Sequence, residues 1–147
     1  MKISLLVVGD EILHGQVTDS NAARIGQLLF ARGLGIAEKL TVGDSLEEIR
    51  RGLQYLRERA HVILVSGGLG PTRDDLTQEA LAGFAGRRLV ENAEAKRDLL
   101  ALLERRGRPV NEIQLRQCRM PAGAEALPNA MGTAPGTWLE HEDRLFI

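Results

Sequence analysis

The sequence has a single cysteine, Cys118, among 147 residues. One thiol excludes an internal disulfide framework and a multi-cysteine metal cluster. No histidine stands at a recognisable catalytic spacing from it, so Cys118 is expected to be packing. Aromatic residues make up only 3% of the chain, too few for a base-stacking platform. The net charge is −1, from 19 basic and 20 acidic residues. It lacks the cationic excess that nucleic-acid binding through phosphates requires, so no nucleic-acid partner is expected. No apolar run approaches the ~20 residues of a bilayer span, and no membrane partner is expected. The opening Ile3–Val8 run stops at Gly9-Asp10-Glu11 without a small-residue cleavage site, so it reads as a buried strand rather than a signal core. A cytoplasmic location is the expectation. His14, His61 and His141 show no metal-ligand spacing.

What is present suits one globular domain, at roughly 100–200 residues per domain, with length enough to bury a core. Strands are predicted over residues 3–8, 35–42 and 62–65. The first, but for Ser4, and the third are continuous apolar runs, as in a parallel sheet buried on both faces. Helices are predicted from Asn21 to Ala31, capped by Asp19 or Ser20, and from Ser45 to Arg59, where Ser45 and Glu48 have capping-box spacing. A third helix should open near Asp74 or Asp75 and run to Ala85. Further helices are expected over 92–105 and 111–118, then short strands near 136–140 and 144–147. Three successive strand–helix units predict an α/β sheet with helices on both faces. Residues 87–119 carry nine basic and five acidic side chains; the Arg105–Arg108 part is a solvated face or a contact for a phosphate or an acidic partner.

The strongest local feature is Gly67-Gly68-Leu69-Gly70-Pro71-Thr72-Arg73-Asp74-Asp75-Leu76-Thr77, between a buried strand and a helix. In open α/β sheets ligands bind at the carboxyl ends of strands, glycines admit a ligand close to the backbone, and N–H groups at a helix start favour an anion. The segment is neither a Walker loop nor a dinucleotide fingerprint. By itself it is also compatible with an ordinary strand-to-helix turn, with Asp75 and Gln78 as a cap pair. Two carboxylates beside a phosphate would repel it unless a hard divalent cation took oxygens from both. Gly9-Asp10-Glu11 follows the first strand at the same expected rim, so Asp10 and Glu11 are candidate ligands or bases, or a solvated turn. Asp19 and Asn21 contact a ligand or cap the first helix. Asn129-Ala130-Met131-Gly132-Thr133-Ala134-Pro135-Gly136 is a fixed loop of small residues that backbone or ligand can approach.

Together, Gly9-Asp10-Glu11-Ile12-Leu13-x-Gly15-x-Val17-x-Asp19-x-Asn21, the glycine segment at 67–77 and Asn129-x-x-Gly132-Thr133-Ala134-Pro135-Gly136 resemble the amino-terminal domain of the CinA family. That family lies in the molybdopterin-binding superfamily with the MoaB, MogA, gephyrin and MoeA domains. Arg106-Gly107-Arg108-Pro109, Asn111 and Gln117 fit the same pattern, and the resemblance covers essentially the whole chain. It implies a three-layer α/β/α fold with a mostly parallel sheet and a nucleotide or pterin at the sheet's carboxyl edge. It also implies metal-dependent ADP-ribose pyrophosphatase activity, with Mg, Mn or Co held by Asp10, Asp74 and Asp75. On the family pattern the ligand would be contacted by Gly9, Glu11, Asp19, Asn21, Gly67, Gly68, Gly70, Thr72, Thr77, Asn129, Gly132, Thr133 and Gly136. The alternative is a binding module or dimerisation platform without turnover. A homo-oligomer, dimer or trimer, is expected. Family chains continue beyond Leu145-Phe146-Ile147 with a Leu-Pro-Gly-Val-Pro-type loop, so residues 1–147 are expected to be a domain truncated at its carboxyl end.

Overall fold

The computed structural model describes residues 1–147. Its elements are β1 (Ile3–Val8), α1 (Asp10–Leu13), α2 (Ser20–Phe30), β2 (Ile36–Val42), α3 (Leu46–Arg57), β3 (Val62–Ser66), α4 (Thr77–Phe84), β4 (Leu89–Glu91), α5 (Ala93–Arg105), α6 (Glu112–Leu115) and a 3-10 turn over Arg116–Cys118, followed by β5 (Arg119–Pro121), β6 (Glu125–Leu127), β7 (Gly136–His141) and β8 (Arg144–Phe146). Six strands form one sheet in the order β2-β1-β3-β8-β7-β6, while β4 and β5 form a separate ribbon. The β2–β1, β1–β3 and β3–β8 pairs are parallel; the β8–β7 and β7–β6 pairs are antiparallel. No helix is long and apolar enough to cross a membrane.

All six residues of β1 are buried, because helices cover both faces of the sheet. Leu6 and Val8 enter a core with Ile49, Leu53 and Leu56 of α3, Leu81 of α4, Leu99 and Leu103 of α5, and Phe146 of β8. Leu5 and Val7 point the other way, to Ala22 and Ile25 of α2. This alternation makes the three layers. A fully buried leucine such as Leu53 contributes roughly 1.5–3 kcal/mol by leaving water.

The structure differs from the sequence expectations at several ends. Residues 10–13 form a helical turn where a loop is expected. The third helix opens at Thr77, not Asp74 or Asp75, and its N-cap residue Leu76 makes no side-chain cap. Ser45 and Glu48 do not form a capping box: the Glu48 carboxylate accepts the Gly43 N–H at 2.8 Å instead. A reciprocal box does form between Asn111 and Gln114, and the stretch predicted as a helix over 111–118 tightens into a 3-10 turn after Leu115. Strands β4, β5 and β6 have three residues each, too short for a periodic signal.

The β7–β8 hairpin carries Phe146 into the core. Its two-residue turn places Glu142 at φ 46° and Asp143 at φ 59°, the left-handed region where non-glycine residues are strained. Glu142 pairs with Arg57, and the Arg144 guanidinium donates to the Arg57 carbonyl at 3.1 Å. Asp143→Gly is expected to raise the urea midpoint, by about 0.5–1 kcal/mol of stability. An unchanged or lowered midpoint would mean that the turn is not strained.

Candidate ligand site

The chain's chemistry-bearing segments leave the sheet at one rim. In the parallel strands β1, β2 and β3 that rim is the carboxyl end. Because β7 runs antiparallel, with Leu127 opposite Gly136 and Leu139 opposite Phe146, the loop from Pro128 to Pro135 emerges there too. Segments 9–21, 67–77 and 129–136 thus share an edge, but they do not converge on one point. β7 stands two strands from β3, about 10 Å away.

The glycine turn is locked against β1. Gly67 has φ +104°, and a Cβ there would overlap the Val8 carbonyl oxygen. Gly68 has φ +62°, and its Cβ would lie 2.5 Å from the Thr77 hydroxyl. Buried Thr77 closes the turn: its hydroxyl donates to the Gly67 carbonyl at 2.7 Å, and its N–H donates to the Gly68 carbonyl at 3.2 Å. The Asp75 carboxylate folds back over the loop and accepts the Gly70 N–H (2.8 Å), the Thr72 N–H (2.8 Å) and the Thr72 hydroxyl (2.6 Å). It caps no helix with Gln78. Within this framework the N–H groups of Gly68 and Leu69 donate to no acceptor in the protein.

The segment after β1 is held toward β2. The Gly9 N–H donates to the Val42 carbonyl at 3.1 Å. Asp10 and Asp44 exchange hydrogen bonds, with the Asp10 N–H to Asp44 Oδ2 at 3.0 Å and the Asp44 N–H to Asp10 Oδ1 at 3.3 Å. Glu11 turns back over Gly9. Asp19 caps α2 through the Ala22 N–H at 2.9 Å and pairs with Lys39 at 2.8 Å. Burial pushes its carboxyl pKa up, but Lys39 and the Ala22 N–H outweigh burial and hold it below the ordinary value. Asn21 reaches the glycine rim, donating to the Ser66 hydroxyl at 3.3 Å.

Asp10, Asp74 and Asp75 are not gathered into a centre. No group of three His, Cys, Asp or Glu side chains is placed to hold a metal ion. Asp10 is caught by the β2–α3 loop, and Asp75 is committed to three donors. Asp74 is exposed and makes no hydrogen bond to the protein. The donor set therefore does not fit a preformed divalent-cation site.

In the third segment the Asn129 side chain organises its own loop, accepting the Met131 and Gly132 N–H groups at 3.0 Å each and donating to the Ala134 carbonyl at 2.8 Å. Asn129, Gly132 and Thr133 face α5, around Ala95 and Leu99. Only Gly136 joins the glycine turn, lining an apolar pocket with Leu69, Thr77 and Gln78.

Sequence reasoning gave no role to the other wall of the site. A small polar cleft of about 60 Å³ lies between the glycine turn, the first turn of α4 and the Arg116–Arg119 segment, lined by Gly68, Gly70, Thr72, Gln78, Glu79, Arg116, Gln117 and Arg119 among others. Two contacts carry the distant wall to the turn: the β4–β5 ribbon, with Val90 opposite Met120, and the Asn92 N–H, which donates to the Cys118 carbonyl at 2.8 Å. The excess of basic residues over 87–119 was the available signal. Cys118 is fully buried, and burial, with the Glu91 charge, pushes its thiol pKa up; it is packing. His141 packs edge-on against Phe84, and burial, with the Arg87 and Arg57 charges, lowers its pKa.

A mixed, mostly parallel sheet between helices, with a glycine turn at its carboxyl rim, defines a three-layer α/β domain with its ligand rim at the strand ends. Residues 4–147 match the family described as "Probable molybdopterin binding domain". A CinA-like protein of Geobacter sulfurreducens is 48% identical over 147 residues, covering 100% of this chain and 36% of the relative. A second, from Geobacter metallireducens, is 48% identical over 139 residues, covering 95% and 34%. The chain thus spans about a third of the length of these curated relatives. The crystal structure of the protein CinA from Thermoplasma acidophilum superposes with a TM-score of 0.86 at 31% identity, covering 99% of this chain and 85% of that one. The molybdopterin biosynthesis enzyme MoaB of Thermus thermophilus shares the fold, with a TM-score of 0.63 at 19% identity and coverage of 99% and 77%. The chain belongs to the molybdopterin-binding-domain family, among its CinA-like members.

Gly67→Ala is expected to destabilise the domain by more than about 2 kcal/mol, since it forces both a backbone overlap and a rare φ. Gly86→Ala is the control: its φ is also positive, at +63°, but nothing lies near its Cβ. Equal denaturation midpoints for the two variants would show that Gly67 does not brace β1.

Proposed function

We propose that this domain binds a phosphate-bearing small molecule of nucleotide or pterin type in the cleft beside the glycine turn. The observation that carries the proposal is the set of donors there. The N–H groups of Gly68 and Leu69 are unpaired, and Arg116 and Arg119 line the facing wall. Backbone N–H groups in a tight turn and guanidinium forks both suit phosphate oxygens. Asp75 shapes the turn, and its negative charge is spent on three donors before an anion arrives.

Hydrolysis of an ADP-ribose-type pyrophosphate is a second reading, favoured by Asp74, a carboxylate beside the turn with no protein partner. Mg²⁺ is often held by one or two carboxylates together with the substrate's phosphates. The carboxylates here do not assemble a site before ligand arrives, so no catalytic step is assigned to them. In calorimetry, ADP-ribose is expected to bind saturably, with Arg116→Ala weakening binding about tenfold. Failure to saturate, or full affinity in the variant, would overturn the binding proposal. Release of AMP and ribose phosphate with Mg, Mn or Co, abolished by Asp74→Asn, would replace binding without turnover by hydrolysis.

We also propose that the chain self-associates as a dimer or trimer. Phe30 is 82% exposed and Met131 89% exposed, with Leu28, Leu34, Val110 and Ile113 also at the surface. Sedimentation velocity should show a species of two or three chains; a monomer at every concentration would refute it.

A further inference from the structure

β2 is the outermost strand of the sheet and pairs with β1 on one side only. The Gly9 N–H donates to the Val42 carbonyl at 3.1 Å, so the Val42 backbone is turned toward β1. Along a strand beside a parallel partner, alternate residues turn both backbone groups to the same side. Leu40 and Glu38 therefore face β1 as well, while Lys39 and Thr41 present their N–H and C=O groups to the open edge. No turn or loop backbone reaches those groups. Exposed edges are ordinarily blunted by proline, a bulge or a free lysine. Residues 36–42 contain no proline, the break in register lies before Glu38, and Asp19 holds the Lys39 charge at 2.8 Å. Beside this edge runs a largely apolar groove of about 530 Å³, lined by Leu13, Leu40, Val42, Gly52 and Tyr55 among others.

We infer that β2 pairs antiparallel with β2 of a second copy of this chain, across a two-fold axis at Leu40, so that two sheets join into one. The inference rests on the self-association proposed above, names the face that carries it and fixes the state as a dimer. Charge selects the register. In an antiparallel pair the directly opposed residues lie on the same face. An axis at Glu38 or at Lys39 sets that charge against its own copy, and an axis at Thr41 sets Glu38 against Asp44 of the second copy. An axis at Leu40 opposes Leu40 to Leu40, Glu38 to Val42 and Lys39 to Thr41, with no like charges directly opposed. The two Lys39–Thr41 pairs then exchange four backbone hydrogen bonds, since both residues already face the edge. Leu40 meets its copy as the closely spaced, non-hydrogen-bonded pair. The groove residues Leu40 and Val42 on each side form a continuous apolar strip over the seam.

The test uses the whole 147-residue chain and two variants. Thr41→Pro removes an N–H that β1 does not use and that the seam needs twice, and an edge strand tolerates proline where its N–H faces outward. In sedimentation velocity it is expected to weaken the dimer about tenfold or more, with an unchanged circular dichroism spectrum. Leu40→Cys is the second arm, and it decides alone where the proline variant does not fold. The opposed Cα atoms of a non-hydrogen-bonded pair lie about 4.5 Å apart, within disulfide reach. Mild oxidation should therefore link Leu40→Cys into a covalent dimer, and the buried Cys118 supplies no competing thiol. Ala37→Cys is the control: in this register the two copies of residue 37 lie about 20 Å apart and should not link. Undiminished association of a folded Thr41→Pro protein, or an associating Leu40→Cys protein that does not cross-link, would overturn the seam and leave self-association standing. A trimer would also overturn it, because a two-fold axis generates pairs. A wild-type chain that stays monomeric at every concentration would overturn both.

Discussion

The contact between the Gly67 backbone and the carbonyl of Val8 sets the site's geometry. The carboxyl ends of two central strands are brought closer together than any side chain would allow. The turn after β3 must therefore lie flat on the end of β1 before it climbs to α4. Thr77 secures the far end of that turn with its hydroxyl and its N–H. Everything proposed about the rim, from its unpaired N–H groups to its cleft, depends on this close approach.

The acidic residues near the rim show how one residue type can build a site without serving as its ligand. Asp75 gathers three donors and holds the loop from Gly70 to Thr72 in place. Asp10 and Asp44 tie the end of β1 to the loop after β2, and Asp19 fixes the start of α2 while pairing with Lys39. Each carboxylate charge is balanced by hydrogen bonds that define backbone shape. The Asp74 side chain, like those of Glu11 and Glu79, is exposed and makes no hydrogen bond or ion pair with the protein, which separates the carboxylates available for chemistry from those that organise the framework.

The facing wall has a different origin. Arg116, Gln117 and Arg119 come from a segment more than 40 positions beyond the glycine turn, carried back by the short β4–β5 ribbon and the capped turn at Asn111. This basic part of the chain supplies positive charge opposite free backbone donors. The carbonyl oxygens of Gln117 in this wall and of Gln78 on α4 accept no hydrogen bond, so the cleft is polar in specific ways rather than merely hydrophilic.

Much of the architecture was legible in the sequence. Leu5–Val8 and Val62–Val65 are unbroken apolar runs, which suit strands of a sheet with helices on both faces, and the stripe Ile49, Leu53 and Leu56 identifies α3. The glycine segment stood out because consecutive glycines between a buried strand and a helix mark a close backbone approach. β4, β5 and β6 have three residues each and carry no period to detect, so they were missed, whereas the equally short β8 was expected. Glu48 has capping-box spacing from Ser45 yet bonds Gly43, because the nearby loop offers its N–H in better position. The sequence by itself determined which segments are buried, where the chain turns sharply and which family the pattern resembles, since these follow from local composition and spacing. Only the tertiary structure decided that Asp75 is occupied, that Asp10 faces β2 and that Gln117 stands against the glycine turn, because hydrogen-bond partners are chosen by proximity in space among groups that local sequence leaves equally eligible.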